Sequence, residues 1–237
     1  MRVKDEDSLR SIVAHIERTI GVDPTHWPAL PPGYQGQIEA ALLDSVFSLR
    51  ATYGQSSSVG PRAVVRRWQD HVNRPLDSLE MLIKDVEALD GADGFRAVLK
   101  NNGVAVPRAA DKPTKALAVL VSAKALVAFG VITADDAIRE RYEQPKELLR
   151  AVQAGRGVGP QAASYFFMNL GVPGVKADVM VSRFVDAALG TKTSAEDAAH
   201  LVTDAADELR ADVIQLDHAI WKYGSEQSRT RRRRASG

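Results

Sequence analysis

Apolar residues recur at three- to four-residue spacing along almost the whole chain, and nowhere does a convincing run alternate strictly between apolar and polar. That periodicity predicts an all-α protein. Residues 8–20 set the pattern: Leu9, Ile12, Val13, Ile16 and Ile20 share one stripe, with Gly21 and Pro24 as the stop. Further helices are expected near 37–51, 61–72, 77–89, 93–101, 114–130, 133–142, 145–153, 160–171, 177–190, 194–210 and 212–224. Thr133, Pro145 and Ser194 mark starts, while Gly130, Gly171, Gly190 and Gly224 mark stops. The stretch "DPTHWPALPPGYQG" is too rich in proline for a helix and reads as a connector between two bodies.

Composition narrows the function classes. With 45% hydrophobic residues in 237, the chain can bury a sizeable core. The absence of cysteine excludes disulfides, cysteine-ligated zinc and cysteine-ligated iron–sulfur clusters. Histidines and carboxylates show no metal-ligand spacing, so no metal is expected. No apolar run reaches the roughly 20 residues that span a bilayer, and the N-terminus lacks the apolar core of a secretory signal. The expectation is a cytoplasmic protein with no membrane partner.

The net charge of +1 conceals an asymmetry, because Arg229, Arg231, Arg232, Arg233 and Arg234 crowd the C-terminal end. Without those five charges the rest of the chain stands at −4. The run is expected to be disordered in isolation, either binding phosphates by counterion release or simply solvated.

The most informative stretch is "GRGVGPQAASYFFMNLGVPGVKADVMVSRFV", residues 155–185. It is preceded by one helical pattern and contains two more, with the turn G-R-G-V-G-P between the first two. Glycines there permit positive φ and close approach, and Pro160 suits the first helical position. Backbone amides in such a turn, backed by a helix N-terminus, favour a phosphate, although a glycine-rich turn between helices can also be only a tight turn. Neither the dinucleotide nor the P-loop fingerprint fits, since no strand precedes the turn and the Lys-Ser/Thr pair is missing. Asp178 falls in the first turn of the next helix, where the dipole favours an ionised carboxylate; an ordinary N-terminal helix acid sits there too.

Taken together, G-V-G-P-x-x-A, the G-V-P connector and D-V-M-V-x-R-F resemble the helix-hairpin-helix (HhH-GPD) DNA glycosylase superfamily. Upstream, "SLRAT" at 48–52 is similar to the S-x-Q-A-T stretch of the endonuclease III family, and the resemblance covers about residues 35–225. It implies two helical bodies with an active-site cleft between them. Residues 1–34 would pack with the C-terminal body, 35–144 would form a helical barrel, 145–171 the hairpin, 172–225 the body carrying the catalytic aspartate, and 226–237 a disordered basic tail. The activity implied is excision of a flipped base from double-stranded DNA by a monomer that needs no cofactor and, in a bacterium, associates with the nucleoid.

The resemblance also assigns residues. Asp178 takes the place of the catalytic carboxylate, stabilising an oxocarbenium-like transition state or activating water. Gly155, Arg156, Gly157, Val158, Gly159 and Gln161 take the DNA-binding turn, and Arg50 takes the position that fills the gap left by the extruded nucleotide. Bifunctional relatives carry a lysine where this chain has Gln161, so hydrolysis without strand cleavage is implied; Lys176 is the nearest substitute. Val46 stands where adenine glycosylases place a glutamate, which argues against adenine removal, and Met180 replaces the usual histidine after the aspartate. Asp44, Phe47, Ser48, Tyr53, His218 and Trp221 are candidates for the base pocket, with Tyr165 a further stacking group; core and surface roles for these residues stay open. The alternative is a non-catalytic helix-hairpin-helix protein that only binds DNA.

Overall fold

The computed structural model describes residues 3–29, 33–51, 60–175 and 179–235. The described residues form twelve α-helices: α1 Val3–Thr19, α2 Ile38–Phe47, α3 Pro61–Val72, α4 Leu79–Glu87, α5 Ala92–Leu99, α6 Lys115–Ala128, α7 Ala134–Glu143, α8 Pro145–Val152, α9 Pro160–Asn169, α10 Val179–Leu189, α11 Ala195–Glu208 and α12 Val213–Ala235. A single 3₁₀ turn, Pro24–His26, interrupts the connector. The isolated pairing of Val104 with Thr114 is the one β feature among the described residues. The chain is all-α, as its periodicity requires.

Two compact units emerge, one continuous (Gly33–Val172) and one discontinuous (Met1–Pro32 with Pro173–Gly237). In the continuous unit every residue of α2 is buried, polar ones included. A helix apolar on nearly all sides must be enclosed, and α3, α6 and α9 enclose it. Its Leu42 and Leu43 share one core with Trp68, Leu82, Phe95 and Phe166, all fully buried.

The price of that position is Glu39, whose side chain is wholly buried in α2. Arg74 donates to it at 2.6 Å and Trp68 Nε1 at 3.0 Å, and Arg74 reaches Asp85 at 2.6 Å with its other arm. Burial pushes the Glu39 carboxyl up, and the Arg74 and Trp68 hydrogen bonds pull the other way. Nothing in the sequence pattern marks this network, because Trp68 and Arg74 stand 29 and 35 positions from Glu39 and meet it only on folding.

In the discontinuous unit, Ile12 and Ile16 of α1 share a core with Phe184 and Val185 of α10, Val202 of α11, and Leu216 and Ile220 of α12. Trp27, after the 3₁₀ turn, is buried in the same core and donates its indole N–H to the Gly21 carbonyl at 2.9 Å. Ser194 caps α11 by accepting from the Asp197 amide, as its position before an apolar-periodic segment predicts.

Three boundaries differ from expectation. α1 starts five residues early, at Val3. α2 ends at Phe47 rather than near Ala51, because Ser48 caps it and Arg50 turns left-handed with φ 52°. Gly224 does not stop α12, which continues through the arginine run to Ala235, so the tail expected to be disordered is helical there. Gly224 instead provides room for α10: a Cβ there would lie 3.1 Å from the Met180 sulfur. Arginine propagates a helix well and is favoured at its C-terminal end by the dipole.

Candidate nucleic-acid interface

α8 and α9 form a helix–turn–helix, with residues 153–159 as the turn. The turn is fastened to α6. Gly155 N donates to Ser122 Oγ at 3.1 Å, and that hydroxyl donates in turn to the Val152 carbonyl at 2.7 Å. Any side chain at Gly155 would collide with the Ala118 carbonyl. Val158 closes the turn, donating its amide to the Gly155 carbonyl at 2.9 Å, while its side chain is 5% exposed.

Gly157 has φ +89°, and its added Cβ would lie 2.7 Å from the Ala105 carbonyl oxygen. Packing therefore accounts for two of the three glycines. Gly159 is different: it has φ −96°, a value open to any residue, and among the described residues no atom lies within 4 Å of its added Cβ. It is the N-cap of α9 and supplies no side-chain hydrogen bond, where serine, threonine or aspartate would serve better. The N-terminus of α9 is thus bare at the point where its dipole is positive. Pro160 follows at the first helical position, and Gln161 after it is exposed.

Arg156, on the turn, forms an ion pair with Asp111, both side chains well exposed. Arg50 reaches the same neighbourhood from the end of α2, donating to the Ala105 carbonyl, the group against which Gly157 packs. Ala105 is held by its own amide, which donates to the Pro113 carbonyl at 2.7 Å. The structure thus brings together Arg50 and the glycine turn, two features 105 residues apart at Arg50 and Gly155.

Beneath Arg50 lies a residue that sequence reasoning missed. Lys115, 8% exposed, donates to the carbonyls of Phe47 at 3.0 Å and Leu49 at 2.5 Å. Burial, with a smaller push from the Arg50 charge, lowers its pKa to about 8. A lysine opening an apolar run, "TKALAVL", was the available signal; its target carbonyls are visible only in three dimensions.

The base-pocket candidates separate. Asp44 is 2% exposed and accepts from Tyr34 Oη at 3.0 Å and Ser48 Oγ at 3.3 Å, so the i, i+4 pair meets, but inside the unit. Burial, then the nearby Asp44, drives the Tyr34 phenol above the ordinary tyrosine range. Phe47 is 2% exposed with the Lys115 ammonium 5.9 Å from its ring centroid, which makes it a core residue rather than an open stacking face. His218 and Trp221 belong to the other unit, stacked at 5.9 Å and 15° on α12. With Pro28, Ala29, Lys222, Ser225 and Glu226 they line a cavity of about 440 Å³. Asp178, Lys176 and Tyr53 lie outside the described residues.

No group of histidine, aspartate or glutamate among the described residues is arranged to hold a metal ion, and no described helix is long and apolar enough to cross a membrane. No curated protein and no solved structure matches the chain. A family model does match it over residues 10–225, nearly its whole length, and the chain belongs to that family, described as a domain of unknown function (DUF8548).

Proposed function

We propose that this protein is a monofunctional DNA glycosylase, binding duplex DNA as a monomer and excising a damaged or modified base. The observation that carries the reading is Gly159: among the described residues neither backbone conformation nor packing calls for glycine there, and a helix N-terminus without a side-chain cap suits a phosphate. The resemblance of "GVGPQAA" and "DVMVSRF" to the helix-hairpin-helix glycosylases supplies the chemistry.

In that chemistry the departing base takes the electron pair of the N-glycosidic bond, and positive charge spreads over C1′ and the ring oxygen. The Asp178 carboxylate stabilises that charge, and water adds to C1′ with loss of a proton, leaving an abasic site. Gln161 offers no amine for a Schiff base, so the strand stays intact. Arg50, in exchanging its contact with the Ala105 carbonyl for the duplex, enters the space of the extruded nucleotide. Such an enzyme acts in the cytoplasm and, if the source is a bacterium, on its nucleoid.

The test is a time course of the wild type and Asp178→Asn on duplexes that each carry one lesion from a panel, with and without hot alkali. Cleavage only after alkali, lost in the variant, supports the reading. Binding of the same duplexes without any excision makes the protein a non-catalytic helix-hairpin-helix DNA binder instead.

A further inference from the structure

α12 outruns the core it belongs to. Ala219 and Ile220 are its last fully packed residues, with Tyr223 at the edge of the same cluster. Ser225 to Ala235 continue the helix, a further 16 Å or so at about 1.5 Å per residue. Ser228 and Thr230 hydrogen-bond back to the carbonyls of Gly224 and Glu226 on the same helix.

This extension carries Arg229, Arg231, Arg232, Arg233 and Arg234, one glutamate, and no apolar residue before Ala235. The dipole favours a cation or two in the last turn, and five arginines exceed that need. At about 100° per residue the five positions are distributed round the whole helix rather than along one side. A helix that lies on a membrane or in an apolar groove needs an apolar face, and this stretch has none. The major groove of duplex DNA, about 12 Å wide, admits a helix and flanks it with phosphates on two opposite sides, so a helix with arginines on several faces meets a backbone on each wall.

We propose that residues 225–235 of α12 form a nucleic-acid contact that seats in the phosphate-walled groove of duplex DNA, distinct from the α8–α9 turn of the other unit. The contact goes beyond the glycosylase reading and does not rest on it, since it requires phosphates and no modified base. With the remainder of the chain at −4, these arginines carry most of the salt-dependent part of the affinity.

The experiment compares the full chain with a variant in which Arg229, Arg231, Arg232, Arg233 and Arg234 are each changed to Gln, which keeps helix propensity nearly constant. Fluorescence anisotropy on an undamaged duplex is read between about 50 and 200 mM salt, with circular dichroism and a thermal melt to verify the fold. Every phosphate that the variant no longer neutralises lowers the log–log salt slope by about 0.9, so losing one phosphate per arginine gives an expected fall of roughly 4 to 5. A change of less than about one overturns the proposal. Equal affinity of the wild type for poly-glutamate also overturns it, since any polyanion would then serve. The two readings fail separately: arginine-dependent duplex binding without excision removes the glycosylase and leaves this contact, and Asp178-dependent excision with an unchanged salt slope does the reverse.

Discussion

The ammonium of Lys115 lies 2.5 Å from the carbonyl oxygen of Leu49, and through it a residue at the start of α6 clasps the end of α2. The next residue, Arg50, is left-handed at φ 52° and reaches the carbonyl of Ala105, against which the α8–α9 turn packs. Arg50 and the turn therefore hang on one carbonyl, with Lys115 fixing the backbone on one side of it.

Lys115 makes stability depend on pH in a direction opposite to that of an exposed ion pair. Its folded pKa of about 8 lies below the ordinary 10.5, so between those values the unfolded chain binds more protons than the folded one. The cost of burying the charge is fully present below pH 8 and is relieved as pH rises to 10.5. Urea midpoints taken across that window are expected to show a gain on the order of 1 kcal/mol for the wild type, absent in Lys115→Met. Parallel pH profiles for the two proteins would exclude a depressed lysine.

Arg74 compensates a wholly buried carboxylate, so its removal leaves Glu39 unpaired. Arg74→Met is expected to cost about 3–5 kcal/mol in chemical denaturation. Arg74→Met combined with Glu39→Gln should cost clearly less than the two single changes added, which a double-mutant cycle measures. Additive effects would mean that the two side chains act independently.

The three glycines of the turn divide by function. Gly155→Ala, driven into the Ala118 carbonyl, is expected to lose more than about 2 kcal/mol of stability. Gly159→Asp is expected to hold or raise the melting temperature, as an aspartate N-cap does, while duplex binding weakens about tenfold or more because the carboxylate repels phosphate. Unchanged binding by a stable Gly159→Asp protein would remove the phosphate role from this turn.

Asn169, 5% exposed at the end of α9, has a buried Nδ2 with no hydrogen-bond acceptor among the described residues, although its backbone carbonyl accepts from Tyr34 N at 2.6 Å. Replacing the amide by a similarly sized apolar group removes an uncompensated desolvation. Asn169→Leu is expected to raise the urea midpoint by the equivalent of about 1 kcal/mol. A loss of stability instead would show that the amide makes a contact the fold needs.

What the sequence determined by itself is local in origin. Apolar spacing over 8–20, 61–72 and 194–210, with Ser194 and Thr133 as caps, yields helices because those hydrogen bonds and stripes close within a few residues of one another. The pairing of α8 with α9 across a glycine turn was legible for the same reason. Tertiary structure decided the rest. Lys115 finds the carbonyls of Phe47 and Leu49, Arg50 finds Ala105, Arg74 finds Glu39, and Phe47 is enclosed rather than presented. Gly224 looked like a helix stop in one dimension and proved to be the place where Met180 approaches. Periodicity reports which face of a helix is buried, but a backbone carbonyl carries no sequence signal, and a long polar side chain reaches its partner only after the helices have packed.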